Sequence, residues 1–126
     1  MKLDAYHAAC GALPHAFKTV QWQGSHVWKV GDAKAFKVFA IGVPGSAADD
    51  APCRITLKVG PDIHPILMEL EGVGAAPHLR SGGWLSVSHP SAIDDETLTH
   101  HLAGSHRLAA AGLTKRQRTA LGLDLG

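Results

Sequence analysis

The sequence predicts an α+β fold: an antiparallel sheet of about five strands with helices packed on one face, in the order α-β-β-β-β-α-β-α-α. Three observations predict it. Four strand-like runs follow one another between residues 17 and 59 with only turns and short connections between them, as in an antiparallel sheet rather than alternating βαβ units. Helical patterns precede these strands at residues 2–12 and return after residue 93. The 126 residues, 45% hydrophobic and 18% charged, are one domain's worth of protein with one core. Residues 1–126 are therefore read as a single domain.

Each element has its own reason. Leu3, Tyr6 and Cys10 recur at helical spacing across residues 2–12, and Leu13 before Pro14 is pushed out of the α region, which ends the helix. Residues 17–22, rich in aromatic and β-branched side chains, form a first strand, and Gln23, Gly24 and Ser25 a turn. Residues 26–30 form a second strand, punctuated by Gly31 and Asp32. Residues 35–43 form a central third strand, apolar on both faces, with Phe36, Val38 and Ala40 on one and Phe39 and Ile41 on the other. After a flexible connection, residues 53–59 alternate strictly. Cys53, Ile55, Leu57 and Val59 face the core; Arg54, Thr56 and Lys58 face water.

Residues 60–72 hold a second helix, with Asp62 as N-cap and Pro65 tolerated in the first turn. Residues 72–83 read as loop and 84–88 as a fifth strand, stopped by His89 and Pro90. Asp94, Asp95 and Glu96 crowd a helix start, where the dipole favours negative charge. That helix runs to about Ala111, with Gly112 as a left-handed cap. Thr114 and Gln117 form a capping box for a last short helix.

Composition limits the function classes. Twelve Lys and Arg against eleven Asp and Glu leave a net charge of +1, so any nucleic-acid role must rest on where the charges sit. Cys10 and Cys53 are too few for a disulfide framework and read as buried thiols in a reducing compartment, the cytoplasm. No run approaches the roughly 18 apolar residues of a membrane span, and Asp4 interrupts any signal-peptide pattern.

Reactive constellations are thin. Gly72-Val73-Gly74 and Gly82-Gly83 lack the Lys-Ser/Thr of a phosphate loop, and there is no CxxC, HExxH or G-x-S-x-G. His100, His101 and His106 are spaced so that no pair shares a helical metal-binding face. No catalytic, cofactor or metal residue is assigned, and the chain reads as a binding domain, not an enzyme. Two groups remain. Arg107, Lys115, Arg116 and Arg118 have no acidic residue among them and suit phosphate. Arg54 and Lys58, with Trp84 outward on the neighbouring strand, combine charge and a stacking ring.

Taken in order, several segments resemble the MmcQ/YjbR family: Ala76-Pro77-His78-Leu79, Gly83-Trp84-Leu85-Ser86-Val87, Asp94-Asp95-Glu96-Thr97-Leu98, Ser105-His106-Arg107-Leu108 and Lys115-Arg116-Gln117-Arg118. Trp28-Lys29-Val30, Phe36 with Phe39-Ala40, and Leu57-Lys58 fit the same pattern. His106 stands where the family usually carries tyrosine, and Gly112 where it more often carries lysine. The resemblance implies a frataxin-like, double-wing α+β fold and a DNA-binding role, with no catalytic residues to carry over. Frataxin-like metal binding would need an acidic ridge on the first helix, where residues 2–12 hold only Asp4. The expectation is a small cytoplasmic domain that touches DNA through non-specific phosphate contacts. The alternative is a protein-interaction or chaperone-like module using the open sheet face. Whether the two basic groups share one surface is left to the structure.

Overall fold

A computed structural model describes residues 1–21, 24–76, 79, 82–89 and 91–123. Trp22, placed in the first strand by its sequence, lies outside the described residues, as does most of the Pro77-His78 and Arg80-Ser81 stretch. The elements are α1 (Leu3–Gly11), β1 (Ala16–Gln21), β2 (Ser25–Gly31), β3 (Phe36–Pro44), β4 (Cys53–Lys58), α2 (His64–Met68), β5 (Val73–Ala75), β6 (Trp84–Val87), α3 (Asp95–Ala110) and α4 (Lys115–Leu121). The described strands form one antiparallel sheet in the order β1-β2-β3-β4-β6-β5.

One face of this sheet carries the core. Ile55, Leu57, Leu85 and Val87 meet Leu98 and Leu102 of α3 and Tyr6 and Cys10 of α1. Leu67 of α2 and Leu113 and Leu123 around α4 join the same cluster. The helices α1 and α3 run side by side in the same direction: the Met1 ammonium lies 3.7 Å from Asp95, and His106 Nε2 lies 2.7 Å from the Pro14 carbonyl oxygen. Gly42 allows α1 to approach, because a Cβ there would overlap the Tyr6 ring.

The third strand departs from simple alternation. Trp28 opposes Ala40 but Lys29 opposes Val38, so Phe39 is an extra residue, a β-bulge. Phe39 and Ala40 both enter the core, while Phe36 and Val38 turn to the opposite face with Ile41. The uniform two-residue pattern expected for this strand is thereby corrected. The bulge also ends the β3–β4 ladder at the Ala40–Leu57 pair. The next groups, the Phe39 carbonyl and the Lys58 N–H, are taken by the Ser105 hydroxyl. It donates to the first at 2.7 Å and accepts from the second at 2.9 Å. Ser105 is fully buried.

Further corrections have local causes. A sixth strand, β5, occupies part of the stretch read as loop, since Val-Gly-Ala offers too few side chains to alternate visibly. Asp62 is not the N-cap of α2; that position is Ile63, and the Gly60 carbonyl accepts the Ile63 and His64 N–H groups in the preceding turn. Gly112 is not left-handed, because α3 ends on Ala111 in the right-handed region; the left-handed cap is Gly122, at φ 71° after α4. Thr56 is buried at 8% exposure, since it sits on a central strand between Ile41 and Ser86, with its hydroxyl 3.4 Å from that of Ser86. Ser86 is likewise buried, whereas Arg54 is exposed and Lys58 half-buried.

Replacing Ser105 with alanine would leave a buried carbonyl and a part-buried N–H without their partner. The expected loss is about 1–3 kcal/mol. It would be read as a lower urea midpoint at unchanged slope. A midpoint equal to wild type would contradict the bridging role.

Candidate nucleic-acid interface

The C-terminal cations gather around the turn between α3 and α4. Arg107 lies in the last turn of α3, and Lys115 and Arg116 open α4; all three are exposed. Arg118 is partly committed to structure, its Nη1 donating to the Ala111 carbonyl at 3.2 Å and to the Leu113 carbonyl. Lys37 joins them, its Cε 3.5 Å from where a Cβ on Gly112 would stand. Lys37 went unnoticed in the sequence because the bulge that aims it toward the helix side leaves no compositional mark. Lysine and arginine in the first turn of α4 stand where the helix dipole disfavours them, and no acidic residue shares that turn.

Opposite charge collects at the other end of α3, a helix of 16 residues and about 24 Å. Asp94 caps that helix by accepting the Thr97 N–H, and these bonds hold its carboxyl below the usual range. Asp95 and Glu96 follow in the first turn. Asp4 is brought near by the Met1–Asp95 contact, and Asp49 by the bond from Asp4 N–H to its carbonyl. A chain of net charge +1 is thus polarised along its longest helix.

Arg54, Lys58 and Trp84 stand elsewhere. Strand register places them on the face turned away from α1 and α3, with Lys58 opposite Trp84. Lys58 Nζ and Trp84 both border Gly82. The two groups of site residues therefore lie on opposite faces of the sheet and do not form one surface.

Among the described residues no three His, Cys, Asp or Glu groups stand where they could hold an ion. His7 Nδ1 accepts the Trp28 indole N–H at 3.2 Å, and its ring lies 4.9 Å from that of His26. Burial, then Lys18 and His26, lowers the His7 pKa against the opposing pull of Asp49. Burial and Lys18 lower that of His26. Burial also lowers His101, helped by His100. It lowers His106 despite the bond to Pro14, with Arg107 and His15 adding to the fall. Burial pushes the Cys10 thiol far up, away from nucleophilic use. Ser91 Oγ lies 2.8 Å from His89 Nδ1, but that nitrogen also accepts the Ser91 N–H, and both residues are exposed.

Comparison with known proteins adds lineage. A family model described as YjbR matches residues 11–108. A crystal structure of a Deinococcus radiodurans protein with a DUF419 domain is similar at a TM-score of 0.83 and 28% identity, covering 98% of this chain and 89% of that one. A Pseudomonas syringae protein is similar at a TM-score of 0.66 over 86% of this chain and 99% of its own; its 17% identity shows the fold alone. No curated protein matches the chain. Among the described residues, no helix is long and apolar enough to cross a membrane.

The lowered histidines set a pH dependence. Each binds its proton less readily folded than unfolded, so the unfolded chain takes up more protons as pH falls. Their stabilising effect is complete above the unfolded value and is lost as pH falls through about 6.5 toward the depressed folded values. Urea midpoints should fall between about pH 7 and pH 5, before most carboxylates titrate. Midpoints that stay level or rise over that interval would contradict the assignment.

Proposed function

The chain belongs to the YjbR family, and on that footing we propose that it is a cytoplasmic, non-catalytic domain that binds duplex DNA weakly through phosphate contacts. The supporting observation is the cluster of Lys37, Arg107, Lys115 and Arg116 around the α3–α4 turn, where no described side chain supplies a carboxylate partner. Cations gathered without counter-charges attract a polyanion and release its counterions on binding. Phosphate contacts position a protein without reading sequence, so the reading implies little discrimination between duplexes. Arg118 contributes less, since part of its guanidinium already holds the turn. A cytoplasmic setting accords with the two buried free cysteines.

The competing reading, a protein partner on the sheet face, draws on the apolar Val38, Ile41 and Val43 displayed there. Fluorescence anisotropy with two unrelated duplexes over a salt series separates them. Log affinity should fall with log salt by about 0.9 per phosphate contact, and the affinity should be about micromolar or weaker at physiological salt. Arg107→Ala and Arg116→Ala should each flatten the slope by about 0.9, equally for both duplexes. Absence of duplex binding even near 20 mM salt, where screening is at its least (a Debye length above ~10 Å), would overturn the duplex reading.

A further inference from the structure

The sheet face that no described helix covers has an unusual composition. Of the strand cations, Lys29, Arg54 and Lys58 lie on it, and the six described strands carry no aspartate or glutamate. On the uncovered face, the register draws five side chains into a row across the strands. Phe17 of β1 pairs with Lys29 of β2, which pairs with Val38 of β3. Phe36 lies two residues from Val38 on the same face. Beyond the point where the β3–β4 ladder ends, Lys58 of β4 pairs with Trp84 of β6. The order across the sheet is aromatic, cation, valine, cation, aromatic, with Phe36 flanking the valine on the same strand, over about 19 Å at the usual strand spacing.

Contacts within the row are specific. Phe17 and Phe36 meet edge to face, with ring centroids 5.9 Å apart. Lys29 Nζ lies 4.5 Å over the Phe36 ring and 3.5 Å from Gln21 Oε1. Lys29 is only 9% exposed, and its ammonium has no carboxylate partner among the described residues. Phe36 is 42% exposed, an uncommon position for a phenylalanine. A core would hide that ring, and an ordinary wet face would pair the lysines with acids.

We propose that this row is a binding site for single-stranded nucleic acid, in which unpaired bases stack on Phe36, Trp84 and Phe17 while Lys29 and Lys58 meet the backbone phosphates. Stacking on aromatic side chains with cations between them is the general chemistry of single-strand recognition, and it tolerates any base because every base has a π-face. A duplex cannot use the row, because its bases are already stacked on one another. The site is therefore separate from the duplex contact at the α3–α4 turn, and either can fail alone.

The test titrates the full chain with oligothymidylate and oligouridylate, reading tryptophan quenching and anisotropy. Binding to either supports the site, and the tighter of the two identifies DNA or RNA as its source. Phe36→Ala and Trp84→Ala should each weaken binding by at least about fivefold. Trp84→Ala should also remove the quenching. Val20→Ala, at an exposed apolar position outside the row, and Arg116→Ala should leave single-strand affinity unchanged. Two cations on a single strand limit the salt slope to about −1.4, so binding should outlast the duplex contact as salt rises. Absence of single-strand binding would overturn the proposal, as would binding indifferent to Phe36 and Trp84 but lost with Arg116. Failure of duplex binding alone would remove only the duplex reading.

Discussion

The buried Ser105 hydroxyl joins the third and fourth strands to the longest helix at the point where their own ladder ends. At Phe39 the third strand takes an extra residue and stops pairing with its neighbour. Two backbone groups are left over in the interior, where an unpaired polar group is costly. Ser105 reaches from α3 and satisfies both. The longest helix is thereby fastened to the two central strands at the point of the bulge. Its position in turn sets where Arg107 and the α3–α4 turn fall. The same bulge decides which side chains face away from the helices. It sends Phe39 into the core against His106, with ring centroids 5.2 Å apart, and Phe36 and Val38 outward.

Charge follows from this arrangement. Acids cluster where α3 begins and cations where it ends, so part of the polarity agrees with the helix dipole. The cations of α4 do not share that explanation, because they open a helix rather than close one. Stability accounts for the acidic end, through the Asp94 cap and the Met1–Asp95 contact. It gives no reason for Lys115 and Arg116, which is why a phosphate partner is the simpler account of them. The strands follow the same logic, holding Lys29, Arg54 and Lys58 and no acids on the face that no described helix covers.

Much of the fold was legible because period and punctuation act locally. Leu3, Tyr6 and Cys10 faced the core as their spacing implied, and Ile55, Leu57 and Leu85 did so by alternation. The Thr114–Gln117 capping box formed as its residue types require. What escaped the sequence was non-local. A bulge depends on the partner strand, so nothing in residues 36–44 announces the shift at Phe39. Thr56 looked exposed by alternation but is buried by its neighbours on a central strand. For the site, the residue types of Arg54, Lys58, Trp84 and the C-terminal cluster could be read directly. Their separation onto two faces, and the recruitment of Lys37, Lys29, Phe17 and Phe36, needed the register.

In the proposed arrangement one sheet separates two nucleic-acid surfaces, a phosphate-contacting turn on the helix side and a stacking row on the face that no described helix covers. Amide chemical-shift mapping with each ligand addresses it most directly. A duplex should shift Lys37, Arg107, Lys115 and Arg116, while a single strand should shift Phe17, Lys29, Phe36, Lys58 and Trp84. If both ligands moved the same set of amides, or neither moved any, the division between the two faces would be contradicted.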